Sequence, residues 1–517
     1  MTTVAAPRAG RREWIGLAVI ALPCVLYSMD LTVLNLAVPA LSADLKPSSA
    51  QLLWIVDIYG FMVAGFLITM GTLGDRIGRR RLLLIGATGF GIASVIAAFS
   101  NSAEMLIATR ALLGIAGATL APSTLSLIRN MFHDPQQRAV AVGIWITSYS
   151  VGAMVGPFLG GLLLQYFWWG SVFLLSVPVM VLLLVLGPML LPEFRDPHAG
   201  RLDLRSAAMS LAAVLLVIYG LKQIAQDGLE WLPAGCIVAG LGMGIAFVRR
   251  QTTLAHPLMD LRLFRAPAFS ASLATYLLAT FVMFGAYVLT AQYLQLVLGL
   301  SPLVAGLWTL PGIAMFIVGS NLTPVIVRRF SPASVMVAGL VLTALGYVLL
   351  TQVGAAPGLA VLVTATVIYS LGLAPVFTLT NDMIIGNAPP ERAGSAAALS
   401  ETSSEFGGAL GIAVLGSIGT AIYRSQVAAA VPADLTPEAS EAAQGTLGGA
   451  LSVAGQLPGQ VGADLLGAAR EAFTHGLVVT ATICAVVVLA TAVVVAKKLR
   501  PGLGLERAAA PAPAATE

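Results

Sequence analysis

Apolar runs and short polar breaks alternate along the whole chain. The runs fall near residues 14–38, 51–71, 82–99, 104–126, 139–161, 167–190, 206–222, 232–248, 268–294, 303–327, 333–352, 358–386, 395–422 and 474–496, each closed by charge or by Pro and Gly. A helix needs about 20 mostly apolar residues to cross a bilayer, so the pattern predicts fourteen transmembrane helices, spans one to fourteen. Strands do not fit. An open sheet cannot satisfy its backbone in lipid, and barrel strands would alternate polar and apolar positions.

Composition agrees with an all-α membrane protein. Of 517 residues, 58% are hydrophobic and 10% charged, against roughly 25% charged in a soluble domain. Little chain is left for a soluble domain. Arg8, Arg11 and Arg12 precede the first run, which is too long for a signal-peptide core and reads as a retained span. Cys24, Cys236 and Cys484 lie far apart in apolar runs and read as small hydrophobes, which excludes a disulfide or zinc scaffold. The net charge of +4 gives no reason to expect a nucleic-acid partner.

Placement of charge tests the span count. With the N-terminus in the cytoplasm, 23 of the 28 basic residues fall on the cytoplasmic side, including Arg76, Arg79, Arg80 and Arg81, Arg249 and Arg250, and Lys497 and Lys498. Lys46, Lys222, Arg424 and Arg470 fall on the other side, and Arg110 lies inside span four. A miscount by one helix would scramble that asymmetry, so the expectation is fourteen spans with both termini cytoplasmic. Residues 423–473 form an insert before the last span, readable as an outer cap or as a mobile loop; Ala463 to Phe473 carries helical periodicity. The tail 501–517 is of low complexity and is expected to be disordered.

The strongest motif is GTLGDRIGRRR, residues 71–81, in the loop joining spans two and three. Gly71, Gly74 and Gly78 suit a tight turn and close helix approach. Asp75 is an acid at a helix end, placed to pair with Arg76 or Arg79 or to cap a neighbouring helix. Such a cluster can latch the cytoplasmic ends of two bundles and release them. In span five, Gly152, Gly156, Gly160 and Gly161 permit close helix packing, and Pro157 removes a backbone donor and bends the helix.

Residues 71–81 resemble the signature loop of the major facilitator superfamily. Asp30 with LTVLNLAVP, residues 31–39, resembles the first-helix motif of its fourteen-helix drug:proton antiporters. Arg110 to Gly117 is similar to the fourth-helix motif with its buried arginine, and Gly152 to Gly161 to the fifth-helix motif of exporters. With Trp54, Asp57 and Tyr59, the pattern looks closest to pumps for quaternary ammonium compounds. The resemblance covers nearly the whole chain. It implies a bacterial inner-membrane protein with two six-helix bundles, 1–195 and 266–500, and two inserted helices within 196–265, acting as a monomer without cofactor or metal.

Charges inside spans are costly and by default functional or paired. Asp30, Asp57 and Arg110 all fall in the outer half of their spans, where Arg110 could govern a neighbouring carboxylate or form a static ion pair with it. Glu401 and Glu405, spaced i, i+4 in span thirteen, share one helix face. Two such carboxylates suit either a proton or an organic cation, and that competition is antiport. The resemblance agrees, since related pumps carry an acid pair there. Asp382, near the cytoplasmic end of span twelve, is a third candidate. Span ten offers only Asn321 and Thr323 where some relatives place an acid. For cation–π contact the pool of cavity aromatics includes Tyr27, Trp145, Tyr149, Tyr287, Trp308 and Phe377, with Phe281, Phe284, Phe316 and Tyr369.

These readings converge on a proton-coupled exporter of lipophilic cations, with an exporter of an endogenous lipid, siderophore or metabolite as the alternative cargo. An enzyme is not expected, because no catalytic motif is present and His133, His198, His256 and His475 lie in loops or at span ends.

Overall fold

The computed structural model describes residues 8–195, 203–227, 230–254, 257, 261–354, 358–386, 393–432 and 435–499. Among them the chain is helical, with no strand. Thirteen helices are long and apolar enough to cross a membrane. Span five, the 32-residue helix Pro135–Tyr166, completes the fourteen. The predicted tail 501–517 lies outside the described residues, as do Arg201, Arg392, His198 and His256.

Two apolar cores divide the bundle. One gathers side chains of spans one to six, from Leu17 to Leu191, joined by Val288 and Ile412 of the other half. The other gathers spans nine to fourteen and the insert, from Ala271 to Leu499, joined by Leu36 of span one. Large apolar residues also cover the rim, such as Ile85, Ile92, Leu241 and Leu345. In water that would be a defect; in lipid the rim has an apolar solvent. Span eight, Trp231–Thr253, is only 17% buried, so it sits at the periphery.

Three elements differ from the sequence expectation. Span four is not one helix but two, Ala103–Gly117 and Leu120–Met131. Pro122 has no N–H to offer Ala118, so the ladder opens there. Span nine, Pro267–Gln292, ends in a π-helical turn, Tyr293–Val297, before Gly299 turns at φ 68°. Span fourteen runs from Gly459 to Lys498. At about 1.5 Å per residue it is roughly twice as long as a bilayer core is thick.

That added length belongs to the insert. The helical periodicity at Ala463 to Phe473 is continuous with span fourteen, and two short helices, Pro437–Gly445 and Leu447–Ala454, fold back beside it. Tyr423 Oη donates to Ala443 O at 2.9 Å, and Ser49 Oγ donates to Gly445 O. Ala443, Leu447 and Ala450 are buried. The insert is therefore a packed cap on the face opposite the one where span one starts.

The halves meet at that capped face. A Cβ on Gly161 of span five would lie 2.7 Å from Leu303 Cα of span ten, Pro302–Ile326. One on Gly306 would lie 3.0 Å from the carbonyl carbon of Pro157, and Gln295 Nε2 donates to Leu36 O at 3.1 Å. Span thirteen, Ala393–Val427, crosses span two, Ser49–Ile77, where Gly416 packs on Leu53 and Gly60 faces Ala409.

Candidate functional site

Small residues bring the site together. Span five packs on span one, Arg11–Leu45, through a stripe of glycines. A Cβ on Gly152 would stand 2.9 Å from the carbonyl carbon of Val25, one on Gly156 3.0 Å from Met29 Cγ, and one on Gly160 2.7 Å from Val33. Gly114 of span four does the same against Tyr59 O at 2.5 Å. With no side chains between them, the helices approach closely enough for their long polar groups to meet.

Arg110 is the centre of the first half. It is 1% exposed, and its Nη1 lies 2.5 Å from Asp30 Oδ2. Its Nε donates to Ile55 O at 3.1 Å and its Nη2 to Val56 O at 3.4 Å, while the guanidinium sits 4.8 Å from the Tyr59 ring. The expected pairing of Arg110 with an acid at its own depth is thus with Asp30. A crevice lined by Met29, Val33, Phe90, Phe173 and Ser176 reaches that carboxylate.

Asp57 is paired with a cation of the protein's own: Lys222 Nζ lies 2.9 Å from its Oδ1 and 2.8 Å from its Oδ2, with both residues 1% exposed. Lys222 is not in an outer loop. It lies inside span seven, Leu204–Asp227, and its ammonium is 3.9 Å from the Trp54 ring centroid. Sequence reasoning placed it on the outer side because it closes the apolar run 206–222. The missed signal was an opposite charge at matching depth in span two.

Glu401 and Glu405 project from span thirteen toward the first half. Glu405 faces Tyr27 of span one, and Glu401 lies within electrostatic reach of Cys24 and Tyr149. From the second half, Tyr276 stands beside Ser404 and within reach of both acids. Among the described residues neither glutamate meets a Lys or Arg. Their surroundings are aromatic: Tyr27 is 5.8 Å from Tyr149 and 6.0 Å from Tyr59, and Trp145 is 5.0 Å from Tyr149. Phe377 joins a second group, 5.3 Å from Tyr276 and 5.5 Å from Phe316. Tyr287 faces Thr309 and Tyr369 within the second half instead, and Trp308 is 39% exposed on span ten. Asp382 is exposed, but its neighbour Asn381 accepts from Ser400, next to Glu401, at 3.0 Å.

The loop at 71–81 is tied closely to its own half. Gly78 adopts φ 111°, ending span two and starting span three, Arg79–Ala98. The first N–H groups of that helix are taken by Glu193: Arg80 N and Arg81 N donate to its two oxygens at 3.1 and 3.2 Å. Arg80 Nε also pairs with Glu193 at 3.7 Å, Arg79 Nη1 donates to Pro122 O at 3.3 Å, and Arg79 N to Phe194 O at 2.9 Å. Gly74 lies against the Arg79 side chain, Gly71 faces Pro122, and Arg76 is exposed. These contacts hold the loop to spans four and six of its own half. The side chain of Asp75 lies outside the described residues.

A family model described as Major Facilitator Superfamily matches residues 20–412. The chain belongs to the major facilitator superfamily. Within the superfamily it is 44% identical to the multidrug efflux pump LfrA of Mycolicibacterium smegmatis, over 96% of this chain and 98% of that one. It is 36% identical to the methyl viologen resistance protein SmvA of Salmonella typhimurium, over 89% and 93%. Among solved structures it resembles a bacterial homologue of the lysosomal transporter Spinster, with a TM-score of 0.67 and 19% identity, covering 96% of this chain and all of that one. This superfamily member is thus a multi-span membrane transporter of a drug-efflux family, with small molecules as cargo.

Proposed function

We propose that this chain is a proton-coupled antiporter that exports lipophilic organic cations, such as quaternary ammonium compounds, cationic dyes and biocides. One observation carries the reading. Of the five candidate acids in the spans, Asp382 is exposed, and Asp30 and Asp57 each hold a cation of the protein's own, Arg110 and Lys222. Glu401 and Glu405 hold none among the described residues. Two carboxylates on adjacent turns, about 5–6 Å apart, cannot both stay charged cheaply without a counter-ion. They accept a proton or a greasy cation, and one expels the other.

The aromatic rings around them select the guest. Cation–π contact with a desolvated ammonium is worth about 2 kcal/mol, and it asks for no fixed hydrogen-bond pattern. That suits cargo of varied shape. The name of the relative LfrA, a multidrug efflux pump, supports the same breadth. The placement of the basic residues supports both termini in the cytoplasm of a bacterial inner membrane, which makes the capped face external.

The test is ethidium efflux from proteoliposomes under an imposed pH gradient. Wild-type protein should move the dye and Glu405→Gln should not, although it inserts normally. Undiminished transport by Glu405→Gln would remove the acid pair from the mechanism. Wild-type protein that ignores ethidium and other organic cations would favour an endogenous cargo.

A further inference from the structure

We propose that Lys222 is the fixed counter-charge of Asp57 and clasps the inserted helix pair to span two, which makes that pair a positioning element of the transport cycle. The inference deepens the antiport reading and rests on it for its transport readout. Three observations meet at this point.

The first is the pair itself. Both carboxylate oxygens of Asp57 lie within 2.9 Å of Lys222 Nζ, and neither residue is exposed beyond 1%. A lysine near a span end ordinarily snorkels to the interface. This one turns inward. The Trp54 ring 3.9 Å from the ammonium completes a site of one carboxylate and one π face, the partners a lipophilic cation would seek. The protein's own side chain fills it, so Asp57 is closed to cargo.

The second is where span seven runs. Ile218 packs with Phe61 of span two and with Ala409 and Ala413 of span thirteen in one apolar cluster. Leu211 fills the space over Gly65, 2.8 Å from a Cβ placed there. Span seven therefore lies along the seam between the halves, touching the helix that carries Glu401 and Glu405. The third is that span two is gripped twice in three residues. Arg110 takes the carbonyls of Ile55 and Val56, and Lys222 takes the side chain of Asp57. When the halves part along spans two and thirteen, span seven must stay with one of them. The ion pair decides for span two.

The experiment uses full-length protein in proteoliposomes, with Lys222→Met, Lys222→Arg, Asp57→Asn and the double variant Asp57→Asn/Lys222→Met. Lys222→Met strands a buried carboxylate, and ethidium turnover should fall by at least about tenfold with KM little changed. Lys222→Arg should keep most of the rate, and the double variant should recover to within about threefold of wild type. A Lys222→Met protein at the wild-type rate, or a double variant as slow as Lys222→Met, overturns the proposal. So does a loss confined to KM, which would put Lys222 in the cargo site. Thermal unfolding of the same variants in detergent is read in parallel. If wild type moves no ethidium, the antiport reading fails, and the clasp is then judged on unfolding alone. A midpoint lowered by Lys222→Met and restored by the double variant supports it; additive effects overturn it.

Discussion

Two glycines of span five invite the same substitution and should answer it in opposite ways. An Ala Cβ at Gly152 would overlap Val25 O and stand 2.9 Å from the Val25 carbonyl carbon and 3.0 Å from its Cα. Ordinary carbon contacts are about 3.5–4.0 Å, so the new methyl is roughly 1 Å too close. All three atoms are backbone. No side chain can rotate away, and spans one and five must separate instead. Overpacking of this kind costs about 1–3 kcal/mol. At Gly143, in the same helix, a Cβ meets nothing within 4 Å. Gly143→Ala should therefore gain the helix propensity of alanine, about 0.5–1 kcal/mol. Thermal unfolding in detergent separates the two: Gly152→Ala lowers the midpoint, and Gly143→Ala holds or raises it. Tyr27 and Tyr149 face each other at 5.8 Å across this seam, so Gly152→Ala should also weaken quenching of intrinsic fluorescence by bound cations. If Gly152→Ala is as stable as Gly143→Ala, the two spans do not approach as described, and the packing argument for the exporter motif fails.

Two further substitutions test the charges. Asp30→Asn leaves Arg110 buried without its counter-charge, among two backbone carbonyls and the rings of Tyr59 and Phe173. Removing one partner of a buried pair costs about 3–5 kcal/mol, and the retained amide oxygen puts the expected loss at the lower end, with slower turnover; a wild-type midpoint and rate would refute it. Asp203 caps span seven, accepting from Ser206 N at 3.1 Å and from Arg250 Nη2 at 3.0 Å. Burial pushes its carboxyl up, and the hydrogen bonds from Ser206 and the nearby Arg250 outweigh that, leaving it below the usual value. Its stabilisation is thus present above the unfolded value, about pH 4, and is lost as pH falls through the folded one. Asp203→Ala should cost about 1 kcal/mol near neutrality, and a deficit that grows on acidification would contradict this.

The spans were legible because lipid imposes one demand on every crossing helix, a long apolar run, and the basic loops mark its ends. What periodicity could not show was the continuity of a helix. Pro122 interrupts span four, and span fourteen runs unbroken out of lipid into the cap, because both features depend on backbone hydrogen bonds rather than on hydropathy. Lys222 was misplaced for a related reason. Hydropathy reads a charge after an apolar run as the end of the run, whereas Asp57 waiting across the groove makes that charge part of the interior.

Rotation of each helix about its own axis was the hardest quantity to read, since helices apolar on every side have no polar face to orient them. Close-packed glycines supply the missing reference. Trp145, Tyr149, Gly152, Gly156 and Gly160 are spaced four, three, four and four apart, so they share one face. The glycines dock that face on span one, and the two rings are carried to Tyr27 with it. In span ten the reference is Gly306, which packs on Pro157. Trp308 lies two residues further, about 200° around the helix, and must point away from the interface, as its 39% exposure records. In span nine Gly285 packs on Gly411 of span thirteen, and Tyr287, again two residues on, turns from span thirteen toward Thr309. The same glycines that let helices touch thus decide which aromatic residues can reach the acid pair, and the rule that admits Tyr149 excludes Trp308 and Tyr287.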